Sequence, residues 1–230
     1  MSIITPVVHQ MMRNVCFERM ACGMPPKAKF SEQDIVEAAM NVVREKGFEA
    51  MTARTVAEKL GTSTRPIFTY FETMEQLKEK VVELARECYR YFVMHGLEEP
   101  IPFLGVGHQH IRFARTEPEL YRLLFLTKTS GAAGGALRAL KFSQGLVRES
   151  LMRIYNMDGE TADKYYRDLW LIAFSFATMI VANECTYTDE EISAVFTEVS
   201  LSICKAYKEI PGLPEGNFDR DAIFKELVKK

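Results

Sequence analysis

The sequence has no excess of charge: 29 Lys and Arg stand against 31 Asp and Glu, so no global field draws it to a polyanion or a membrane surface. Any such role must be local. Paired cysteines are lacking too. Cys16, Cys22, Cys88, Cys185 and Cys204 are scattered and odd in number, with no CxxC or Cys/His ligand spacing, which argues against a zinc module and fits free thiols in a reducing cytoplasm. The most apolar window, LWLIAFSFATMIVA at 169–182, falls short of the roughly 20 residues that span a bilayer, and it reads as a buried helix. Strand-like alternation, internal repeats and low-complexity tracts are missing, which leaves helical periodicity as the dominant pattern. GxSxG, Walker, GxGxxG and HExxH signatures are also absent.

With 47% hydrophobic residues, the chain can bury a sizeable core, and one small and one larger domain is the natural division. The first residues carry their charges after the apolar run, and no small-residue cleavage site follows, so a signal peptide is not expected. Met24 opens MPPKAKF, a basic lead into a capped helix. Residues 1–26 are therefore expected to be disordered or a misassigned start, with translation beginning at Met24.

Ser31, followed by Glu32, Gln33 and Asp34, forms an N-cap with an acidic first turn, and Ile35, Ala38, Ala39, Val42 and Val43 share one face before Gly47. Thr52 caps a second, short helix to about Leu60, with Val56, Ala57 and Leu60 inward. Gly61 ends it, Ser63 caps a third, and after Phe71 the corner Glu72-Thr73 starts a long fourth through Leu77, Val81, Leu84 and Cys88. Further helices are expected over 102–115, 118 to about 127, roughly 136–155, 160 to about 184, and 189–207. Breaks fall at Glu99-Pro100, Glu117-Pro118, the SGAAGG segment at 130–135 and Met157-Asp158-Gly159. The spacing predicts an all-α fold: residues 1–26, a helix-turn-helix head at 27–74, a larger bundle at 75–208 and a polar tail at 209–230 with one amphipathic turn set at Ile223, Phe224 and Leu227.

Residues 52–71 carry the most information. Ala57 sits one turn before Gly61, where two steeply crossing helices need close approach and a turn that tolerates positive φ. Val56, Leu60 and Ile67 supply the shared core. Ser63 can accept from the exposed amides of the third helix, and Pro66 falls in its first turn, where a missing N–H breaks no intrahelical bond. That helix presents Thr64, Arg65, Thr69 and Tyr70 away from Ile67 and Phe71. An arginine and hydroxyls at the start of a short helix suit the major groove, since arginine can pair bidentately with a guanine edge. On spacing alone, an ordinary αα-corner with a solvated face fits equally well.

The run from Phe30 to Leu84, with GF at 47–48, MTARTVAEKLG at 51–61, IFTYF at 67–71 and EQL at 75–77, resembles the DNA-binding domain of the TetR family of transcriptional regulators. RFARTEPELYRLLF at 112–125 is similar to a segment of some TetR-like ligand domains. The resemblance implies a cytoplasmic, dimeric, ligand-responsive regulator, most often a repressor, that binds palindromic double-stranded operator DNA. Thr52 would contact phosphate, Arg54 a base beside it, Ser63, Thr64, Arg65, Pro66 and Thr69 would belong to the reading face, and Tyr70 would meet phosphate. Two departures stand out: Phe68 replaces a phosphate-binding tyrosine, and Met74 a lysine at the head of the fourth helix. Each removes a donor, which shifts backbone contacts towards Lys27, Lys29 and Lys78. Across 27–80, nine Lys/Arg face nine Asp/Glu, so binding must rest on where the cations sit and on doubling through a dimer.

In the resembling family the bundle binds a small ligand and dimerises through its last two long helices. Residues 165–181 are apolar nearly all round, which suits a helix between its own core and a twin, or the central helix of a monomer. Tyr91, Phe113, Tyr121, Trp170 and Phe174 are candidate pocket walls for a largely apolar, aromatic or cationic effector, with His110 and Glu184 as polar handles. No cofactor, metal site or catalytic residue is expected. His108 and His110 at i, i+2 point apart on a helix and lack a carboxylate at i+3 or i+4, and SGAAGG lacks the strand and the Lys-Ser/Thr ending of a phosphate loop. The alternatives are a helical small-molecule-binding protein whose head no longer reads DNA, and a helical enzyme.

Overall fold

In the computed structural model, residues 30–127 and 135–228 are described, and from Glu32 onward they pack as one unit. The expected start at 1–26, Lys27, Lys29 and most of SGAAGG lie outside the described residues. All regular structure among the described residues is helical.

Helix α1 (Glu32–Lys46) places Glu32 and Asp34 in its first turn and Arg44 and Lys46 in its last, each complementing the helix dipole. It buries the expected face, with Met40 in addition. A 3₁₀ turn (Phe48–Ala50) leads to α2 (Ala53–Leu60), where Thr52 and Thr55 cap each other's amides reciprocally. Gly61, at φ 64°, ends α2 in the left-handed region that favours glycine. Helix α3 (Arg65–Tyr70) follows, and then α4 (Met74–Leu97), whose N-cap Thr73 accepts from the Gln76 amide.

The Ser63 cap expected from sequence is not formed. Thr64 occupies the N-cap position without a side-chain bond, and the first turn closes from the Ile67 amide to the Thr64 carbonyl. Pro66 has no N–H to offer, so the helix starts at Arg65 and leaves Ser63 one residue too early to cap it.

The bundle begins where α4 crosses α5 (Pro102–Thr116). A Cβ on Gly105 would lie 2.3 Å from the Gly96 carbonyl oxygen, and one on Gly96 would lie 2.6 Å from the Val106 Cα, so these two glycines permit a backbone approach that no side chain would allow. Helix α6 (Pro118–Tyr121) runs into a π-helical turn, Arg122–Leu126, instead of the single helix expected to about 127. The wider turn rotates less per residue, so consecutive Leu123, Leu124 and Phe125 all reach the core. Helix α7 (Ala136–Tyr155) has the expected limits, and α8 (Gly159–Val181) is capped by Asp158. It stops short of Glu184 because Asn183 turns left-handed, at φ 60°, and the Glu184 amide closes back on the Met179 carbonyl. Helix α9 (Asp189–Glu209) and the exposed α10 (Arg220–Val228) complete the chain.

Around Tyr89, α4, α5, the π turn and α8 bury a continuous set of aromatic side chains. By contrast α9 buries only Ile192 and Phe196, while Leu171 on α8 and Leu201 on α9 are exposed.

Candidate nucleic-acid interface and buried polar cluster

Helices α2 and α3 both pack on α1; Val56 and Ala57 of α2 and Ile67 of α3 are buried, Leu60 is half-buried, and Phe71 is buried at the corner after α3. This fixes the opposite side of α3. Thr64, Arg65, Thr69 and Tyr70 are exposed together, and Pro66 and Ser63 lie at the N-terminal end beside them. Thr69 returns its hydroxyl to the Arg65 carbonyl at 3.1 Å, which leaves its methyl outward. Arg65 makes no ion pair among the described residues, so its guanidinium is available to a partner.

Thr52 is exposed at the start of α2, although its hydroxyl already accepts from the Thr55 amide. Arg54, whose side chain is 88% exposed, pairs at 3.0 Å with Glu58, itself exposed. Such an exposed pair contributes little to stability. Phe68, 49% exposed, puts an apolar ring on the α3 surface, and Met74 is half-buried at the head of α4. Lys78 lies 3.9 Å from Glu75 and over the Phe48 ring. Arg65 is thus the single cation of α3, and Arg54 lies in the first turn of α2.

The second constellation lies inside the bundle. His110 is buried on α5, its Nδ1 is 2.9 Å from the Tyr89 hydroxyl, and its ring meets Tyr121, Phe125 and Trp170 edge-on. Trp170 stacks on Phe174 with 10° between planes, and Tyr121 stacks on Phe125 at 4.5 Å. The Tyr121 hydroxyl reaches Thr178 at 3.1 Å. Phe113 joins through Tyr89 and Phe92. Burial lowers the His110 pKa to about 3, so the imidazole is neutral, and it raises Tyr89 to about 12. Three side-chain atoms in this cluster, His110 Nε2, Trp170 Nε1 and the Tyr166 hydroxyl, have no partner at hydrogen-bond geometry among the described residues, although Trp170 and Tyr166 both lie close enough to the Tyr89 hydroxyl to act on its pKa, and Tyr166 is also near Ser143. Their residues are only 2%, 3% and 4% exposed. A buried donor left unpaired costs roughly 1–3 kcal/mol, so three together are more than packing alone explains.

Of the pocket residues expected from sequence, the fold brings together His110, Phe113, Tyr121, Trp170 and Phe174. Tyr91 points elsewhere, pairing with His95 on its own helix at 4.7 Å between ring centroids, and Glu184 is exposed beyond α8. Tyr89, Phe125 and Tyr166 complete the cluster. The buried register of α4 (Val81, Ala85, Tyr89, Phe92, Gly96) contains Tyr89 and excludes Tyr91, so the periodicity did carry that signal. His108 turns away from His110 to meet the Ser193 hydroxyl at 3.0 Å, and no three His, Cys, Asp or Glu side chains are grouped to hold a metal among the described residues.

The head and the cluster are joined twice. Helix α4 runs from the Thr73 cap beside α3 to Tyr89 and Phe92 in the cluster. Separately, Arg44 at the end of α1 forks onto Glu117 between α5 and α6, with Nε–Oε2 and Nη2–Oε1 both at 2.9 Å. Four residues on from Glu117 is Tyr121, whose amide bonds the Glu117 carbonyl and whose ring stacks on Phe125.

Residues 35–81 match the family model described as bacterial regulatory proteins, tetR family. The crystal structure of multidrug binding protein EbrR complexed with imidazole is similar at a TM-score of 0.46 and 22% identity, over 73% of this chain and 93% of that one. No curated protein matches. No described helix is long and apolar enough to cross a membrane.

Proposed function

We propose, for a chain whose residues 35–81 match the family model of bacterial regulatory proteins, tetR family, that it is a dimeric DNA-binding repressor released from a palindromic operator by a small molecule. The observation that carries this reading is the α2–α3 pair. A short helix, started by Pro66 and backed by Ile67 and Phe71, offers Arg65 with Thr64, Thr69 and Tyr70 on one exposed face. Arg65 reads a guanine edge, Thr52 and Tyr70 meet phosphates, and Arg54 exchanges Glu58 for DNA.

One short helix covers too few base pairs to specify a site, so a twin is required. The half-covered face of α8 and α9, with Leu171 and Leu201 outward, is where it packs. Two heads then meet half-sites one helical turn apart, about 34–36 Å. Release is a population shift. A guest in the aromatic cluster moves Tyr89 on α4 and, through Tyr121, the Glu117 contact to α1, so the ligand-favoured state holds the heads at the wrong separation.

Selection of duplexes from a random pool tests this reading. It expects an inverted repeat whose enriched half-sites contain a guanine that Arg65→Ala no longer selects. Enrichment of no sequence by a folded sample would leave the helical small-molecule-binding protein as the better reading; turnover of a screened compound would favour an enzyme.

A further inference from the structure

We propose that the buried cluster takes an uncharged aromatic molecule bearing a carbonyl-type oxygen, held by the Trp170 indole N–H, the Tyr166 hydroxyl and the His110 imidazole. This rests on the regulator reading and names the chemical class of its effector. The indole nitrogen can only donate, so whatever completes it must accept. The Tyr89 hydroxyl holds His110 Nδ1 at 2.9 Å; with Tyr89 donating, the proton of the neutral ring sits on Nε2, the unpartnered atom, which is then a second donor. The Tyr166 hydroxyl rotates to donate as a third. One guest oxygen, with two lone pairs, satisfies two of these donors, and a second oxygen on the same ring satisfies the third, whereas a hydrocarbon satisfies none.

The walls set the rest of the molecule. Trp170 with Phe174 and Tyr121 with Phe125 present flat faces, which favour a planar ring. None of the rings or unpartnered atoms of the cluster belongs to a charged side chain, and the nearby Glu117 is committed to Arg44. A cation would be buried without a counter-charge, which removes the cationic option the sequence left open. Space is limiting. Beside Tyr89 a cleft of about 20 Å³, lined by Arg86, Leu124, Arg138 and Phe142, has room for one water. Entry therefore requires the π turn carrying Leu124 and Phe125 to move, and that turn leads back to Tyr121 and Glu117.

The test uses the full chain and three probes of one shape: methyl naphthyl ketone, its hydrocarbon isostere isopropenylnaphthalene, and naphthyltrimethylammonium. Binding is read by calorimetry and by the fluorescence of Trp170, the single tryptophan. The expected result is ketone binding about tenfold or more tighter than hydrocarbon, with no binding of the cation. Tyr166→Phe should shrink the ketone-to-hydrocarbon ratio severalfold while the thermal midpoint holds or rises, because the lost hydroxyl was unpaired. Equal affinity for ketone and hydrocarbon, preference for the cation, no binding at all, or an unchanged ratio in Tyr166→Phe overturns the proposal and assigns the three atoms to bound water. Operator affinity measured in parallel separates the two claims. Ketone binding that leaves DNA affinity unchanged upholds the site and sinks the repressor-release reading; DNA release by hydrocarbon and ketone alike does the reverse.

Discussion

Replacing Glu117 by Gln removes one charge from the Arg44 fork while keeping its shape, and the structure sets the size of the effect. Breaking a fully buried pair costs ~3–5 kcal/mol and an exposed one ~0–1 kcal/mol. With side chains 19% and 11% exposed and two 2.9 Å contacts, this pair lies towards the buried end. We expect a loss of about 2–3 kcal/mol, which for a chain of this length lowers the thermal midpoint by roughly 5–10 °C. The assay is a double-mutant cycle with Arg44→Met, by denaturant unfolding at one protein concentration, since dimerisation would otherwise shift the baseline. Because Arg44 and Glu117 lie 73 positions apart and touch across the joint between head and bundle, a coupling of ~1.5 kcal/mol or more is expected. A coupling below ~0.5 kcal/mol would refute the claim that this fork ties the head to the bundle.

Thr52→Ala should cost about 1 kcal/mol of stability through the lost cap of α2, and it should also weaken operator binding, as a salt-series titration would show. Buried, neutral His110 makes the fold acid-sensitive. Its pKa is about 3 in the folded chain against 6.5 for a solvated imidazole, so its contribution is complete above pH 6.5 and is lost as pH falls towards 3. At pH ~5 the deficit is about 2 kcal/mol, and His110→Phe should flatten the stability profile in that window; an unchanged profile would contradict the burial argument. Leu201→Glu, on the exposed side of α9, should yield a folded monomer by light scattering with sharply reduced affinity for a palindromic duplex.

The head was legible because its signals are local. Thr52, Gly61 and Pro66 each constrain a turn within a few residues, Val56 and Ala57 mark the buried face of α2, and Ile67 marks that of α3. Ser63 misled because a hydroxyl two residues before the first helical position looks like a cap unless the proline's effect on the start is counted. In the bundle, helix limits followed from periodicity, but the π turn did not, because three adjacent apolar residues fit several windings. Tyr89 was readable from the α4 register. The Arg44–Glu117 fork and the unpartnered set at His110, Tyr166 and Trp170 come from different helices and depend on tertiary packing, so no spacing in the sequence encodes them.

The central claim is that α3 reads DNA through Arg65. Fluorescence anisotropy of the purified protein on the DNA flanking its own gene, across a salt series and with Arg65→Ala alongside, tests it most directly. The expected result is sequence-specific, salt-sensitive binding that Arg65→Ala weakens by about 1–3 kcal/mol and relaxes at one base position. Binding by the variant with undiminished affinity and specificity, or none at low salt by a folded, dimeric, ligand-free sample, would contradict it.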